Sequence, residues 1–397
     1  MAPSASLAGA LEDLYRRIPL GMRLGLAPMR DACARLGHPE RAFAAAHVAG
    51  TNGKGSVCAM VESIARAHGL RTGLYTSPHL CRFAERIRID GEPIADSHLA
   101  DLLVHVLREA PEVSFFEAAT LTAFLAFREA DVDVAIVEVG LGGRLDATNV
   151  LPKAQAAAIT RIALDHADRL GPTLIDIARE KAGIAKPGLD IVLGPMRPDL
   201  RRAIDDVAHG HGATTSSIEH VPAPALIGLE GAHQADNARV ATVLGGRLGA
   251  SHEAIAKGLA DVRWPGRLER IGRHVIDCAH NPDGALALAQ YVRSLGVPPE
   301  RVKLVFGALT DKDWQAMLAE LAPLATSRVF VAPQTGARTA VPADTMTALW
   351  GGESAANLRG ALEPGDAEIV VVAGSILLVG QTRALLLGLP SDPPVAL

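Results

Sequence analysis

The sequence is poor in aromatic residues and has no excess of positive charge. Phe, Trp and Tyr make up 4% of the 397 residues, and the net charge is −5. No basic run is interleaved with aromatic residues, as nucleic-acid-binding surfaces often are. The composition therefore gives no reason to expect nucleic acid or an anionic membrane as a partner.

Cysteine is scarce as well. Cys33, Cys58, Cys81 and Cys278 are the only cysteines of the sequence, and none lies in CxxC or Cys/His spacing. Neither a disulfide scaffold nor a structural zinc site is indicated.

Long apolar runs are also missing. Charged Glu12, Asp13, Arg16 and Arg17 interrupt the region where a signal peptide would have its apolar core. No uninterrupted apolar run reaches the length needed to span a membrane. We therefore expect a soluble, cytoplasmic protein.

The sequence does contain many apolar residues in an alternating α/β pattern. Hydrophobic residues make up 49% of the chain, and its length favours two domains. From about residue 43, apolar runs alternate with segments of helical periodicity. Strands are predicted at 43–49, 132–139, 156–162, 274–277, 302–306, 328–331 and 368–373, and helices at 57–68, 284–295 and 375–387.

The pattern breaks at Trp264-Pro265-Gly266 and then starts again. We predict an α/β fold with two domains. The first, residues 1–266, is a P-loop-type mononucleotide-binding domain with a mainly parallel sheet, and the second, residues 267–397, is a smaller Rossmann-like α/β domain. The final segment, Leu389–Leu397, has the composition of a disordered tail.

A glycine-rich segment, "HVAGTNGKGSV" (His47–Val57), lies between a predicted strand and a predicted helix. Its glycines allow backbone N–H groups to converge on an anion, and the helix N-terminus adds a partial positive charge. Lys54 could reach the outer phosphates of a nucleotide, and Ser56 could face Mg²⁺. However, Gly55 separates Lys54 from Ser56, which departs from the standard phosphate-loop pattern. A tight turn with a surface lysine therefore remains the alternative.

Two polar residues follow further predicted strands. Glu138 is placed where a second Mg²⁺ ligand belongs; the alternative is a strand-end carboxylate paired with Arg144. His166 follows Asp165 just past another strand. Because Mg²⁺ prefers oxygen ligands, a hydrogen-bonded structural histidine is the alternative there.

Two further motifs also allow a purely structural interpretation. Lys181 follows Glu180 in "IAREKAGIAKPG", where a surface helix with a weak salt bridge is the alternative. Ser77 lies in "YTSPHL", where the alternative is a simple turn.

Taken together, the motifs resemble a known family. In chain order they are "HVAGTNGKGSV", "GLYTSPHLCRFAERIRIDGEPI", "EVGLGGRLDATN", "LDHADRLG", "EKAGIAKPG", "GAHQADNA", "WPGRLE", "DCAHNPDGA" and "LTDKDW". This set resembles folylpolyglutamate synthase/dihydrofolate synthase, a member of the Mur ligase superfamily, over roughly residues 20 to 380. The resemblance also explains the unusual loop, since the family has a T-N-G-K-G-[ST] variant of it.

The resemblance implies roles for individual residues. It implies ATP contacts by Asn52, Gly53, Lys54, Gly55, Ser56, Asn237, Arg267, Asp277, His280 and Asn281. It implies two Mg²⁺ ions bound by Ser56, Ser77, Glu138, His166 and Lys181, with Lys181 carbamylated, and a catalytic set of Lys54, His166, Lys181 and Arg267. Pterin contacts are implied for Arg23, Leu24, Gly25, Leu26, Phe116, Glu117, Leu145, Asp146 and Ala147. Cys278 departs from the glycine or other small residue usual at its position.

The implied activity is an acid–amino-acid ligase. ATP activates a carboxylate as an acyl phosphate, and the amine of L-glutamate then forms an amide. The implied substrates are dihydropteroate, reduced folates and L-glutamate, in a monomeric enzyme, and closure of the domains about residues 264–270 would protect the acyl phosphate from water.

Several alternatives remain open. Within the family, the chain could extend folate tails only. Outside it, a cell-wall Mur-type amino-acid ligase shares the chemistry, although "FFEAAT" (Phe115–Thr120) and "YTSPHL" favour the folate branch. A nucleotide-dependent switch protein and a small-molecule kinase are the rivals of other classes.

Overall fold

A computed structural model describes residues 6–18, 25–152, 154–336 and 338–393. By contacts, the chain divides into two units. The first consists of residues 1–77, 84–228 and 235–262, and the second of residues 78–83, 229–234 and 263–397. Each unit therefore contains more than one stretch of chain, and the continuous division at 266/267 remains a proposal about domains.

The first unit contains, among the described residues, an eight-stranded sheet in the order β4-β3-β2-β5-β1-β6-β7-β8. Its strands are β1 (Ala44–Ala49), β2 (Thr72–Tyr75), β3 (Ile87–Ile89), β4 (Glu92–Pro93), β5 (Val134–Glu138), β6 (Ala156–Ile159), β7 (Asp190–Leu193) and β8 (Thr214–Ser217). Strand β3 pairs in antiparallel fashion with both β2 and β4, and the other pairings are parallel.

Helices accompany this sheet. They are α1 (Leu7–Tyr15), α2 (Ala27–Arg35), α3 (Lys54–Ala67), α4 (Asp96–Glu109), α5 (Phe115–Glu129), α6 (Ala167–Leu170), α7 (Leu174–Ala182), α8 (Pro198–Gly210), α9 (Gln234–Arg247) and α10 (His252–Asp261). Short 3₁₀ helices lie at Pro39–Arg41, Phe83–Arg86 and Ala147–Val150.

The central strands are buried on both faces, as parallel strands between helix layers are. Strand β1 is "AAAHVA" and β6 is "AAAI", so small side chains fill much of the sheet where helices pack closely. In register, Val48 of β1 lies beside Glu138 of β5, and Tyr75 of β2 lies beside Val137. The carboxyl ends of β1, β2 and β5 therefore meet at one edge.

The second unit contains, in its described part, a six-stranded mixed sheet in the order β13-β12-β11-β14-β10-β9. Its strands are β9 (Glu269–Ile271), β10 (His274–Ile276), β11 (Val302–Phe306), β12 (Ser327–Phe330), β13 (Glu353–Ser354) and β14 (Ile369–Ala373). Its helices are α11 (Pro282–Ser294), α12 (Trp314–Leu321), α13 (Ala343–Trp350), α14 (Leu358–Leu362) and α15 (Ile376–Leu387), with 3₁₀ helices at Pro299–Arg301 and Ala322–Leu324. Only β9 is antiparallel to its neighbour among the strands described there.

The predicted α/β class is confirmed, with a mainly parallel first sheet and a smaller second unit. The predicted strand 302–306 agrees with β11 at both ends, and the helix predicted at 57–68 begins earlier, at Lys54. No helix of the described residues is long and apolar enough to cross a membrane.

The expectation of a disordered tail is wrong for residues 389–393, whereas residues 394–397 lie outside the described part of the chain. Residues 389–393 are not a disordered tail, because Asp392 is tied into the second unit. Its backbone N–H donates to Cys81 O at 2.9 Å, and its Oδ2 accepts from Phe83 N–H at 2.7 Å. Composition indicated disorder, but the partners of Asp392 come from a segment far away in sequence.

Candidate active site

The phosphate loop, Gly50–Ser56, joins β1 to α3. Gly50 has φ 146°, and a Cβ there would lie 1.8 Å from Thr160 Oγ1. Gly53 has φ 90° at the N-cap of α3. Both torsions lie where side-chain-bearing residues are strained, so these two glycines are required by the turn itself.

The loop is anchored from β6 and its following segment. Thr160 Oγ1 donates to Asn52 O at 2.7 Å, and the backbone N–H of Thr51 donates to Arg161 O at 2.8 Å. Asn237, on α9, packs over the loop, since a Cβ on Gly53 would lie 2.5 Å from its Oδ1. The structure thus brings Asn237 to the phosphate loop, although it lies far from it in sequence.

Lys54 lies at the start of α3 and points back over the loop. Its Nζ donates to Gly50 O and Thr51 O, each at 3.1 Å, and its side chain is 16% exposed. The alternative of a surface lysine is therefore wrong. Ser56, two residues further along the helix, is buried.

Glu138 ends β5 and is buried. Its Oε1 lies 4.0 Å from Lys54 Nζ, and its Oε2 accepts from the Ser77 backbone N–H at 3.1 Å. The parallel register of β1, β2 and β5 therefore brings Lys54, Ser77 and Glu138 together. The alternative pairing of Glu138 with Arg144 is wrong, because Arg144 Nε donates to Glu180 Oε2 at 3.0 Å.

Lys181 lies in the last turn of α7 and is 4% exposed, so the surface-helix alternative is also wrong. Burial, together with the smaller effect of the positive charge of Lys54, lowers the pKa of Lys181 to about 7. Asp165, Asp146 and Glu180 oppose this shift. A substantial share of this amine is therefore neutral near pH 7.

His166 occupies the left-handed region, with φ 52°, at the N-cap of the short helix α6. Side-chain-bearing residues are uncommon there. Its Nε2 lies 3.8 Å from Asp165 Oδ1, and Asp165 acts electrostatically on Lys181. Asp165, for which the sequence predicted no role, therefore lies close to His166 and within electrostatic reach of Lys181.

Residues 140–146, here called the glycine loop, follow Glu138 closely and are held by Asp146. Asp146 Oδ2 accepts from Leu141 N–H at 2.8 Å, and Oδ1 accepts from the Thr148 N–H and hydroxyl at 3.0 and 2.5 Å. Because the Thr148 proton goes to Asp146, the N–H of His47 Nε2 donates to Thr148 Oγ1, at 2.8 Å. This chain of hydrogen bonds ties the glycine loop to β1.

The residues predicted to contact pterin have structural partners of their own. Glu117 forms a capping box with Ser114 at the start of α5, and Phe116 packs on Gly140, where a Cβ would lie 2.2 Å from its Cζ. Leu26 is buried beside α2, Gly25 has φ 118°, Leu145 is half-buried, and Ala147 is buried. Arg23 and Leu24 lie outside the described residues.

In the second unit, Asp277 follows β10 and is buried. Its carboxylate accepts from Leu268 N–H at 2.9 Å and Ala279 N–H at 2.8 Å. Burial raises the pKa of Asp277, and the nearby Arg267 opposes that rise. Arg267 and Asp277, predicted to contact ATP, therefore lie within electrostatic reach of each other.

The turn after Asp277 is equally well ordered. The N–H of His280 Nδ1 donates to Cys278 O at 2.9 Å, and Asn281 Oδ1 caps α11 by accepting from Gly284 N–H at 2.9 Å. The Cys278 thiol is buried, which raises its pKa to about 12. It is therefore a protonated packing group near neutral pH.

Among the described residues, no group of three or more His, Cys, Asp and Glu side chains is placed to hold a metal ion. The predicted metal ligands instead combine one buried carboxylate, two hydroxyls, a histidine and a lysine, namely Glu138, Ser56, Ser77, His166 and Lys181. Such a site needs further oxygen ligands from its substrate or from water.

Family models match both parts of the chain. The model for the Mur ligase middle domain matches residues 48–190, and the model for the Mur ligase glutamate ligase domain matches residues 266–376. The phosphate loop, Glu138 and Lys181 all lie in the first match, and Arg267 and Asp277 lie in the second.

Whole-chain relatives agree. The dihydrofolate synthase/folylpolyglutamate synthase of Bacillus subtilis is 33% identical, over 93% of this chain and 96% of that protein. The structure of E. coli FolC in complex with DHPP and ADP is 32% identical, with a TM-score of 0.87 over 97% of this chain and 98% of that one. The Yersinia pestis bifunctional enzyme complexed with AMPPNP and Mn ion is 31% identical, with a TM-score of 0.85 over 96% and 98%.

With two family models matched in order and a curated relative aligned over nearly its full length, this chain belongs to the dihydrofolate synthase/folylpolyglutamate synthase family of ATP-dependent Mur-type ligases.

Proposed function

We propose that this protein uses ATP to attach L-glutamate to dihydropteroate and to reduced folates, through an acyl phosphate. The observation that carries the proposal is the group formed by Lys54, Ser77 and Glu138 beside a phosphate loop of the family's variant form. The family membership supplies the ligase class, and the name of the glutamate ligase domain supports glutamate as the amine.

The chemistry needs charge stabilisation and no nucleophilic side chain. The substrate carboxylate attacks the γ-phosphorus of ATP, the bond from that phosphorus to the β,γ-bridging oxygen breaks, and ADP leaves. The glutamate amine then attacks the acyl carbon and loses a proton, and the C–O bond to phosphate breaks to leave an amide. Lys54 and the loop N–H groups would stabilise the phosphoryl oxygens during the first transfer.

Mg²⁺ fits the donors of the first unit. In nucleotide sites this ion is bound through one or two carboxylates together with substrate phosphates, and Glu138 is a buried carboxylate next to the phosphate loop. We assign Ser56, Ser77, Glu138, His166 and Lys181 as ligands of two Mg²⁺ ions. When bound, these ions would neutralise charge on the phosphate oxygens.

We also propose that Lys181 is carbamylated. A lysine reacts with CO₂ through its neutral amine, and burial beside Lys54 provides that form near pH 7. The carbamate would convert a buried cation next to Lys54 into an anion, which removes the repulsion between the two lysines. It would also provide the oxygen ligands that an ammonium group lacks.

The roles that we propose for residues of the second unit are based on the geometry of that unit alone. Arg267 would contact ATP phosphates, and Asp277, His280 and Asn281 are the other proposed ATP contacts of this unit. Asn237, beside the phosphate loop, is a proposed ATP contact of the first unit. The turn from Asp277 to Asn281, held by three hydrogen bonds between side chains and the backbone, supports a preorganised site. Gly25, Leu26, Phe116, Glu117, Leu145, Asp146 and Ala147 remain the proposed pterin segments, and a monomer remains the prediction.

The test is ATP-dependent phosphate release with Mg²⁺ and L-glutamate, run separately with dihydropteroate and with a reduced folate. Mass spectrometry of the product should show one added glutamyl group per phosphate released. Activity with both acceptors is expected; activity with the reduced folate alone would restrict the protein to tail extension. Release with neither acceptor, but with cell-wall amino-acid precursors, would overturn the folate assignment.

A separate experiment tests the carbamate. Lys181→Ala should lose most activity, and short carboxylates such as acetate or formate should restore part of it by supplying the missing oxygen ligand. Lys257→Ala, a change of a lysine on α10 whose side chain is 64% exposed, is the control. A fully active Lys181→Ala variant would overturn the carbamate.

A further inference from the structure

The C-terminal end of α7, which carries Lys181, lies in close backbone contact with the glycine loop. The Arg144 N–H donates to Glu180 O at 3.0 Å. A Cβ on Gly143 would lie 2.8 Å from Lys181 O and 3.1 Å from Lys181 Cα. The backbone of Lys181 is therefore part of the contact, and only glycine at position 143 permits it.

The same contact also leaves no room for a side chain at Gly183, the residue that follows α7. Gly183 caps α7 with φ −62° and ψ −3°, a right-handed conformation open to any residue. A Cβ there would nevertheless lie 2.3 Å from Arg144 Cβ. Its missing side chain thus serves the close approach and not an unusual torsion.

Asn149 ties both sides of this contact together. Its Nδ2 donates to Arg144 O and to Gly183 O, each at 3.0 Å, and the residue is 4% exposed. Its Oδ1 accepts no hydrogen bond from the described residues. The side chain therefore acts as a double donor, and a carboxylate of the same shape would face two carbonyl oxygens.

We propose that Asn149 is a positioning residue for Lys181. By joining the glycine loop to the end of α7, it holds the last helical turn in place and keeps the Lys181 amine buried in the electrostatic neighbourhood of Lys54 and Asp165. Its effect on catalysis rests on the proposed function, whereas its effect on the position of Lys181 does not.

The position is tested by amine labelling of the full chain in bicarbonate-free buffer, well below the melting temperature. Peptide mass spectrometry compares reductive methylation of Lys181 with that of Lys257, whose side chain is 64% exposed. We expect Asn149→Asp to raise the labelling rate of Lys181 about tenfold or more, because the Arg144 and Gly183 carbonyl oxygens lose their shared donor. The labelling rate of Lys257 should not change. A rate equal to that of the wild type would overturn the proposal.

Asn357→Asp is the matched control. Asn357 caps α14 by accepting from Gly360 N–H at 2.9 Å, a role that aspartate keeps. A second variant, Gly183→Ala, disturbs the same contact from the helix side and decides the matter if Asn149→Asp does not fold. It should also expose Lys181, whereas protection of Lys181 in Gly183→Ala would count against the contact.

Catalysis provides the second readout. With Asn149→Asp we expect kcat to fall roughly ten- to a hundredfold, with KM for ATP within about twofold, because the phosphate loop is left intact. A loss of kcat that only follows the folded fraction measured by circular dichroism would overturn the positioning role. If the wild type turns over no acceptor, the proposed function fails, and the labelling still decides the role of Asn149.

Discussion

The Lys54 ammonium group donates its hydrogen bonds to the backbone of its own loop. It donates to two loop carbonyls and lies 4.0 Å from Glu138. Nucleotide phosphates would compete for the same ammonium group. Its contribution is therefore expected mainly in phosphoryl transfer and only secondarily in stability.

We predict that Lys54→Ala lowers kcat/KM by roughly a hundredfold or more, the scale of losing one preorganised charge at a reacting group. The melting temperature should change little, because few apolar contacts are lost. Steady-state kinetics and thermal unfolding measure the two effects, with Lys257→Ala as a surface control. Wild-type turnover in Lys54→Ala would show that Lys54 has no role in phosphoryl transfer.

His47 provides a pH prediction at the same scale. Burial, with a smaller effect of Lys186, lowers its pKa from 6.5 to about 3. The unfolded chain binds the proton below pH 6.5 and the folded chain does not, so this group destabilises the fold as pH falls through that range. Above pH 6.5 it has no effect.

Replacing His47 by Gln keeps a donor for Thr148 and removes the titration. The free energy of unfolding should fall between pH 6.5 and about 4 more steeply in the wild type, by up to roughly 1.4 kcal/mol per pH unit. Urea unfolding at several pH values measures this difference. Parallel curves for the two proteins would show that His47 is not buried in its neutral form.

At the scale of elements, Asp392, near the end of the described chain, forms hydrogen bonds to the distant segment 78–83. Asp392 accepts from Phe83 N–H, donates to Cys81 O, and lies 3.9 Å from Arg82 Nε. The Cys81 Sγ–H in turn donates to Gly380 O on α15. The segment 78–83 is thereby held to α15 and to the residues that follow it.

We predict that Asp392→Ala destabilises the second unit by about 1–3 kcal/mol, since it removes the carboxylate that accepts from the Phe83 N–H. Asp392→Asn retains an acceptor oxygen and should lose less. Urea titration followed by Trp fluorescence measures both, because Trp314 and Trp350 lie in this unit. Equal free energies of unfolding for the wild type and both variants would show that the contacts of Asp392 do not stabilise this unit.

At the scale of the whole molecule, the second unit is assembled from three stretches of chain. A fragment of residues 263–397 lacks residues 78–83 and 229–234. It would lose the hydrogen bonds that Cys81 and Phe83 make, as well as the packing of Leu80, whose carbonyl oxygen lies 2.1 Å from where a Cβ on Gly380 would be.

We therefore expect the fragment to melt at a lower temperature than the same unit in the intact chain. Calorimetry of both, with intrinsic fluorescence to identify the transition, makes the comparison. A fragment as stable as the intact unit would support a continuous domain boundary near residue 266 instead.

The order and type of the elements could be read from the sequence, because they depend on local patterns. The residues Val302, Val305 and Phe306 of β11 favour a strand, and the glycines before α3 predict a tight turn before a helix. The candidate site residues could be named because their motifs are contiguous and each follows a strand. In a parallel sheet such residues gather at one edge.

What the tertiary structure alone decided depends on partners far apart in sequence. The amphipathic pattern of α7 does not reveal that Lys181 is buried, since that depends on the glycine loop packing against the helix end. In the sequence, Asn149 is an ordinary loop residue, and only the structure shows that it donates to Gly183 O. Asp392 likewise belongs to a polar tail in the sequence, and only the structure shows that it accepts from the Phe83 N–H. The sequence alone determined the family, the α/β class and the chemical groups of the site; burial and long-range hydrogen bonds, which no local pattern encodes, determined which of those groups are held in place and by what.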